Sequence, residues 1–169
     1  MADLSNLPDD ARLWLFAADG AIGTPAQHDL VAAVRAFTAS WKSHGRPVAA
    51  GAELLHGRVL AVAGAITPAE VNAGVSGCGI DAMTRAVETA AESAGVRWAS
   101  ALDVCYLAGA DWQVAPRPEF RRMAREGQVT PETVVLDLTP DTLGALRDAG
   151  AARPAGAAWH GVAFWSAVA

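Results

Sequence analysis

The sequence predicts an α/β (α+β) protein, and three observations predict it. Short apolar runs bounded by turn residues alternate with segments of helical period. The helical segments carry start and stop signals. The succession reads strand, helix, strand, strand, helix, strand, with one hairpin in the middle. That is the ferredoxin-like plan, an antiparallel sheet with two helices on one face. The expected core covers residues 12–115. A small α/β extension over residues 116–169 is expected to pack on it as one compact unit.

Residues 1–11 are polar and read as a lead-in. Arg12–Ala18 is short, apolar and aromatic, stops at Asp19-Gly20, and reads as the first strand. Thr24-Pro25-Ala26-Gln27 predicts a helix start, with Thr24 as cap, Pro25 first in the helix and Gln27 closing a capping box. Leu30, Val34, Phe37, Trp41 and His44 then share a stripe, and Gly45 closes the helix. Pro47–Leu55 and Arg58–Ala65 read as strands around a His56-Gly57 turn that needs positive φ. Thr67–Gly77 reads as a loop and Cys78–Ala94 as the second helix, ended by Gly95. Ala99–Leu107 is the fourth strand, turned back by Gly109-Ala110 into residues 111–115. A helix over Pro118–Glu126, a strand over Val134–Leu138 and a short helix capped at Thr139-Pro140 make up the extension.

Composition excludes several function classes. The net charge is −5 and Lys42 is the only lysine, which argues against a surface that tracks nucleic-acid phosphates. The start has no signal-peptide pattern, and no apolar run reaches membrane-spanning length. Two cysteines make no disulfide framework. A cytoplasmic address with reduced thiols is the expectation, with no nucleic acid and no membrane as partner.

One stretch points to chemistry. Gly74-Val-Ser76-Gly77-Cys78-Gly79-Ile80-Asp81 sets a thiol in the expected first turn of the second helix. Free N–H groups and the helix dipole favour negative charge there, and a cysteine so placed ionises more readily. Cys78 is the candidate nucleophile, with Ser76, Gly77 and Gly79 cradling a ligand. The plainer alternative is a small buried residue in a Gly-rich turn. Asp81 is a candidate orienting carboxylate; alternatively it is a first-turn acid that pairs with Arg85. His44, expected at a helix end, and His160, in the tail, are the candidate bases. Their plain readings are a helix-terminal cation and a surface imidazole beside an anchoring indole.

Cys78, Cys105, His44 and His160 lack the paired spacing of a zinc motif, so no metal is expected. No cofactor is expected either: the Gly-rich stretch is neither a dinucleotide fingerprint nor a P-loop. Its N–H groups nonetheless suit a small anionic ligand. Among six tryptophans, Trp41 and Trp159 are the candidate ligand contacts, although Trp41, on the core stripe, is better suited to packing. Trp112, Trp159 and Trp165 suit a partner surface.

The combination Trp41-x-x-His44-Gly45, Ser76-Gly77-Cys78-Gly79-Ile80-Asp81, Gly127–Val135 and Trp159-His160 resembles one family. It is similar to small bacterial proteins, common in Bacteroidetes, that are labelled ABC transporter ATPase. The likeness covers about residues 12–165. The family usually has Ser where this chain has Gly79, one donor fewer here. The resemblance implies shared motifs rather than an activity, and without Walker residues an ATPase is not expected. Residues 104–136 also resemble a GYF-type module, which implies proline-rich peptide binding, although the Gly-Tyr-Phe tripeptide is missing. The leading expectation is a ligand site at Gly74–Asp81 performing thiol-dependent transfer or hydrolysis on a small anionic molecule. The alternative is a non-catalytic module that binds a peptide or a second copy of itself.

Overall fold

The computed structural model describes residues 3–66 and 74–165 of the chain. The first part of the expected Thr67–Gly77 loop and the last four residues lie outside them. The described residues form an α+β protein with two antiparallel four-stranded sheets and five α-helices.

The first sheet comprises β1 (Arg12–Ala17), β2 (Lys42–Ser43), β3 (Arg46–Leu55) and β4 (Val59–Ile66), in the order β1-β4-β3-β2. Alternation decides what each strand faces. Trp14 and Phe16 of β1, with Leu60 and Val62 of β4, meet Leu30 and Val34 of α1 (Thr24–Thr38) and Met83 and Val87 of α2 (Gly77–Ser93). Leu13, Ala61 and Ala63 point the other way. They are covered by Leu4 and Leu7 of the lead-in and by Leu143 and Leu146 of α4 (Leu143–Ala149). β4 is therefore covered on both faces, which explains its unbroken apolar run.

The second sheet comprises β5 (Asp103–Ala108), β6 (Asp111–Pro116), β7 (Val134–Leu136) and β8 (Ala152–Pro154), in the order β6-β5-β7-β8. One face, with Val104, Ala115 and Val135, packs on Phe120 of α3 (Arg117–Arg125) and on Phe164 of α5 (Trp159–Phe164). The other face brings Cys105 and Leu136 against Ala17 and Val59 of the first sheet.

The ferredoxin-like order is not what these sheets show. That plan needs the fourth expected strand beside the first. The chain does run back along β1 after α2: Ala18 bridges Trp98, and the Ala99 N–H donates to the Ala17 carbonyl at 2.8 Å. A turn then ends the pairing. Asp103 Oδ2 accepts from Ser100 N, while Asp103 N donates to the Ser100 carbonyl. Further along β1, the edge is taken by residues 141 and 142. With no edge left, β5 and β6 pair with β7 and β8 instead, so the hairpin expected in the core shares a sheet with strands of the extension.

Helix boundaries also differ. α1 is capped by Gly23, not Thr24, and the Gln27 side chain donates to the Ile22 carbonyl rather than closing a capping box. α1 ends at Thr38, so Trp41 and His44 lie beyond it. His44 has φ 50° and Gly45 φ 76°, which makes them the two turn residues of the β2–β3 hairpin. The helix after β7 is capped by Thr142, whose hydroxyl accepts from Ala145 N, and not by Thr139-Pro140.

Candidate functional site

The start of α2 is built as a clasp. Ser76, not Cys78, is the N-cap, and its hydroxyl accepts from Gly79 N at 3.2 Å. Ser43 of β2 is buried; its hydroxyl donates to Ser76 Oγ at 2.8 Å and accepts from Ser76 N at 2.9 Å. Trp41 is also buried and donates its indole N–H to the Gly79 carbonyl at 3.1 Å. The space over Gly79 is full: an added Cβ would lie 3.0 Å from Val75 and 3.3 Å from Ser43 Oγ. Ser76 and Gly79, named as ligand contacts, are thus held by neighbouring residues, and Trp41 is core.

Cys78 is exposed at the second helical position, and Gly77 is exposed at the first. His44 is exposed on the adjoining turn. With Ser76 as cap, Asp81 falls beyond the first turn, exposed, and among the described residues it makes no ion pair with Arg85. His160 is elsewhere, in the core of the second sheet, 1% exposed and stacked on Trp159 with ring centroids 4.0 Å apart.

His160 and Trp159 belong to a different constellation. A cavity of about 500 Å³ opens where the two sheets meet. Its apolar wall includes Leu15, Phe16, Leu136 and Trp98; its polar wall holds Arg117, Cys105 and His160, with Ser100, Asp103 and Thr139, and the Asp103 carboxylate is engaged by Ser100 N. Arg117, Cys105 and His160 come from three elements, α3, β5 and α5, and the stretch that pairs with the end of β1 and then turns away supplies Trp98, Ala99 and Ser100. Arg117 opens α3 and lays its guanidinium over the Trp159 ring at 4.7 Å, a cation–π contact.

Among the described residues, three of these side chains have buried polar atoms with no hydrogen-bond partner: Trp98 Nε1, Arg117 Nε and His160 Nδ1. Each such atom costs stability comparable to a lost hydrogen bond. Burial pushes the His160 imidazole down to about 4, against the attraction of Asp137, so it is neutral at pH 7. Burial pushes the Cys105 thiol up to about 11, although Arg58 nearby opposes this. A thiol and an imidazole therefore share this cavity, both uncharged, which is not the ion pair of a thiolate nucleophile. Neutral imidazole is an acceptor at one nitrogen and a donor at the other.

Behind this wall Asp137 is fully buried at the end of β7. Burial alone would raise its carboxyl; hydrogen bonds from Thr139 and Arg153 outweigh that and hold it below the usual value. Thr139 supplies both its N–H (3.0 Å) and its hydroxyl (2.6 Å), and Arg153 closes an ion pair. Asp137 is thereby spent on holding residues 137–139 and β8 together. Among the described residues, no cluster of His, Cys, Asp or Glu is arranged to hold a metal ion.

Sequence reasoning missed Trp98, Arg117 and Asp137, and weighed Cys105 only as a zinc ligand. Asp137 alone left a signal, a carboxylate inside the apolar run Val134–Leu138. Of the two other tryptophans expected on a partner surface, Trp112 packs beside the junction between the sheets and Trp165 packs on Phe120. No family model matches the chain, and no curated protein or solved structure matches it. No described helix is long and apolar enough to cross a membrane.

Proposed function

We propose that this protein binds a small molecule in the cavity between its two sheets, with an apolar planar body and one acidic group. The observation that carries this reading is that three side chains with an unpaired buried polar atom, Trp98, Arg117 and His160, line one cavity. A few placed polar groups in an apolar cleft of several hundred Å³ are the usual make-up of a ligand site. The carboxylate would meet the Arg117 guanidinium at the cavity wall. The ring of the ligand would lie among Phe16, Trp98 and Leu136. The Trp98 N–H would donate to an acceptor and the neutral His160 would take a hydrogen bond from the ligand.

This reading keeps the small anionic ligand expected from the sequence and moves its site away from Gly74–Asp81. It assigns no bond-making step, because the thiol on the cavity wall is held protonated. The clasp at α2 leaves Cys78 exposed, and its hydrogen bonds run among Trp41, Ser43, Ser76 and Gly79.

The test uses 2-naphthoate and its uncharged analogue 2-naphthamide, followed by tryptophan emission. Naphthoate is expected to bind saturably and more tightly than naphthamide. Arg117→Gln should abolish that preference, and Ala99→Phe, which fills the cavity, should abolish binding of both. Equal binding to the wild type and Ala99→Phe, or no saturable binding of naphthoate, would overturn the reading.

A further inference from the structure

A second cavity, of about 620 Å³, lies on the other side of the β1–β4 end. It is bounded by the Asp19–Ile22 loop, the His56-Gly57 turn and the tip of the β5–β6 hairpin. Arg58 lines it. This arginine is 5% exposed, yet among the described residues no carboxylate lies within ion-pair distance of it. Its Nε donates to the Gly20 carbonyl at 3.3 Å, a long bond, and its Nη1 is buried with no partner among the described residues. A guanidinium is charged at any physiological pH. Buried charges are normally paired, because taking one out of water without a counter-charge is costly.

We infer that Arg58 is the anchor of a second ligand site, which takes the oxyanion head of a phosphate ester or a carboxylate. Nη1 is the free donor that such an oxygen would satisfy. Two acidic residues also line this cavity. Asp19 is drawn to Arg97 at 3.1 Å, and Asp111 is exposed at the hairpin tip. Neither neutralises Arg58. The wall above it carries the His56 and Trp112 rings, with centroids 6.0 Å apart, a surface on which the remainder of an aromatic ester could lie. Gln27 closes the floor: its amide nitrogen is held by the Ile22 carbonyl at 2.7 Å and lies against the turn at Gly57. This site shares no lining residue with the cavity between the sheets, so the two readings stand or fall separately.

The experiment titrates the full chain with inorganic phosphate, phenyl phosphate and acetate against sodium chloride at constant ionic strength. Melting temperature and amide and Arg side-chain NMR shifts are followed. Phosphate or acetate should raise Tm saturably where chloride does not, and the stronger of the two identifies the head group. Phenyl phosphate stronger than phosphate would add the aromatic wall. The shifts should centre on Arg58 Nε–H, Gly20 and Gly57. Arg58→Met keeps the length of the side chain and removes its charge; the affinity should fall at least tenfold, while Tm without ligand should rise. No difference between the oxyanions and chloride would overturn the proposal. So would NMR shifts that spare Arg58, a readout of the wild type that does not require the variant to fold, or saturable stabilisation that persists in Arg58→Met.

Discussion

At the scale of single residues, the two thiols and the buried imidazole separate what is reactive from what is structural. Cys78 is exposed and Cys105 is buried with its thiol pushed up to about 11. Iodoacetamide at pH 8 should therefore modify Cys78 and leave Cys105 intact until the protein is denatured, as peptide mass mapping would record; comparable native rates would contradict the burial. His160 makes stability depend on pH. The imidazole titrates near 6.5 in the unfolded chain and near 4 in the fold, so between those values the unfolded chain holds more protons. Stability should be full above about 6.5, decline as the pH falls towards 4, and by then have lost up to about 3 kcal/mol. His160→Gln should flatten that slope in denaturant titrations at a series of pH values. Asp137, held below its ordinary value, adds a separate loss at still lower pH, as its carboxylate is protonated.

At the scale of elements, the motif residues turn out to be joints. Trp41, Ser43, Ser76 and Gly79 fasten the β2–β3 hairpin to the start of α2. Trp41 lies flat enough on β4 that a Cβ on Gly64 would sit 2.7 Å from its ring. Ser76→Ala removes the cap and one side of the Ser43 pair; a loss of about 1–2 kcal/mol is expected, read from urea unfolding. The second motif pair makes a second joint. Gly156 N donates to the Pro131 carbonyl at 2.7 Å, and Ala155 N donates to the Thr133 carbonyl at 2.8 Å. α5 then crosses so closely that a Cβ on Gly161 would lie 2.5 Å from the Gly156 carbonyl oxygen. Gly161→Ala should cost about 1–3 kcal/mol and displace Trp159 and His160, weakening naphthoate binding as well as lowering Tm. A variant with native Tm and native binding would show that the approach is looser than this.

At the scale of the whole molecule, two cores meet along a thin seam. Ala17, Val59, Cys105 and Leu136 are its buried members, and Leu136 also lines the cavity. Leu136→Ala should therefore do two things at once: destabilise by about 2–5 kcal/mol and loosen the proposed ligand site. A ligand bound there bridges both sheets and should protect the seam. At a hundred times its dissociation constant it adds about 2.7 kcal/mol, so a concentration-dependent rise in Tm is expected and should be reduced in Leu136→Ala. An equal rise in both proteins would place the ligand elsewhere.

Much of the local structure was legible in the sequence because its signals are local. Arg12–Ala17, the His56-Gly57 turn, α2 and the β5–β6 hairpin follow from apolar runs, positive-φ turn residues and helical period. His44-Gly45 carries the same His-Gly signal as His56-Gly57, and was masked by an apolar stripe that ran on past the helix end to Trp41. Which strand pairs with which was not legible. The edge of β1 is closed by residues 98–99 and 141–142, far apart in the chain, and that competition sends β5 into a second sheet. The candidate site was half legible: Trp159 and His160 line the cavity, whereas Cys78, His44 and Asp81 do not. The sequence by itself determined most of the strands, the central helical periods and the His56-Gly57 turn. Only the tertiary structure decided the sheet partners, the cavity and the burial that keeps His160 and Cys105 neutral, because desolvation and edge competition depend on neighbours remote in sequence.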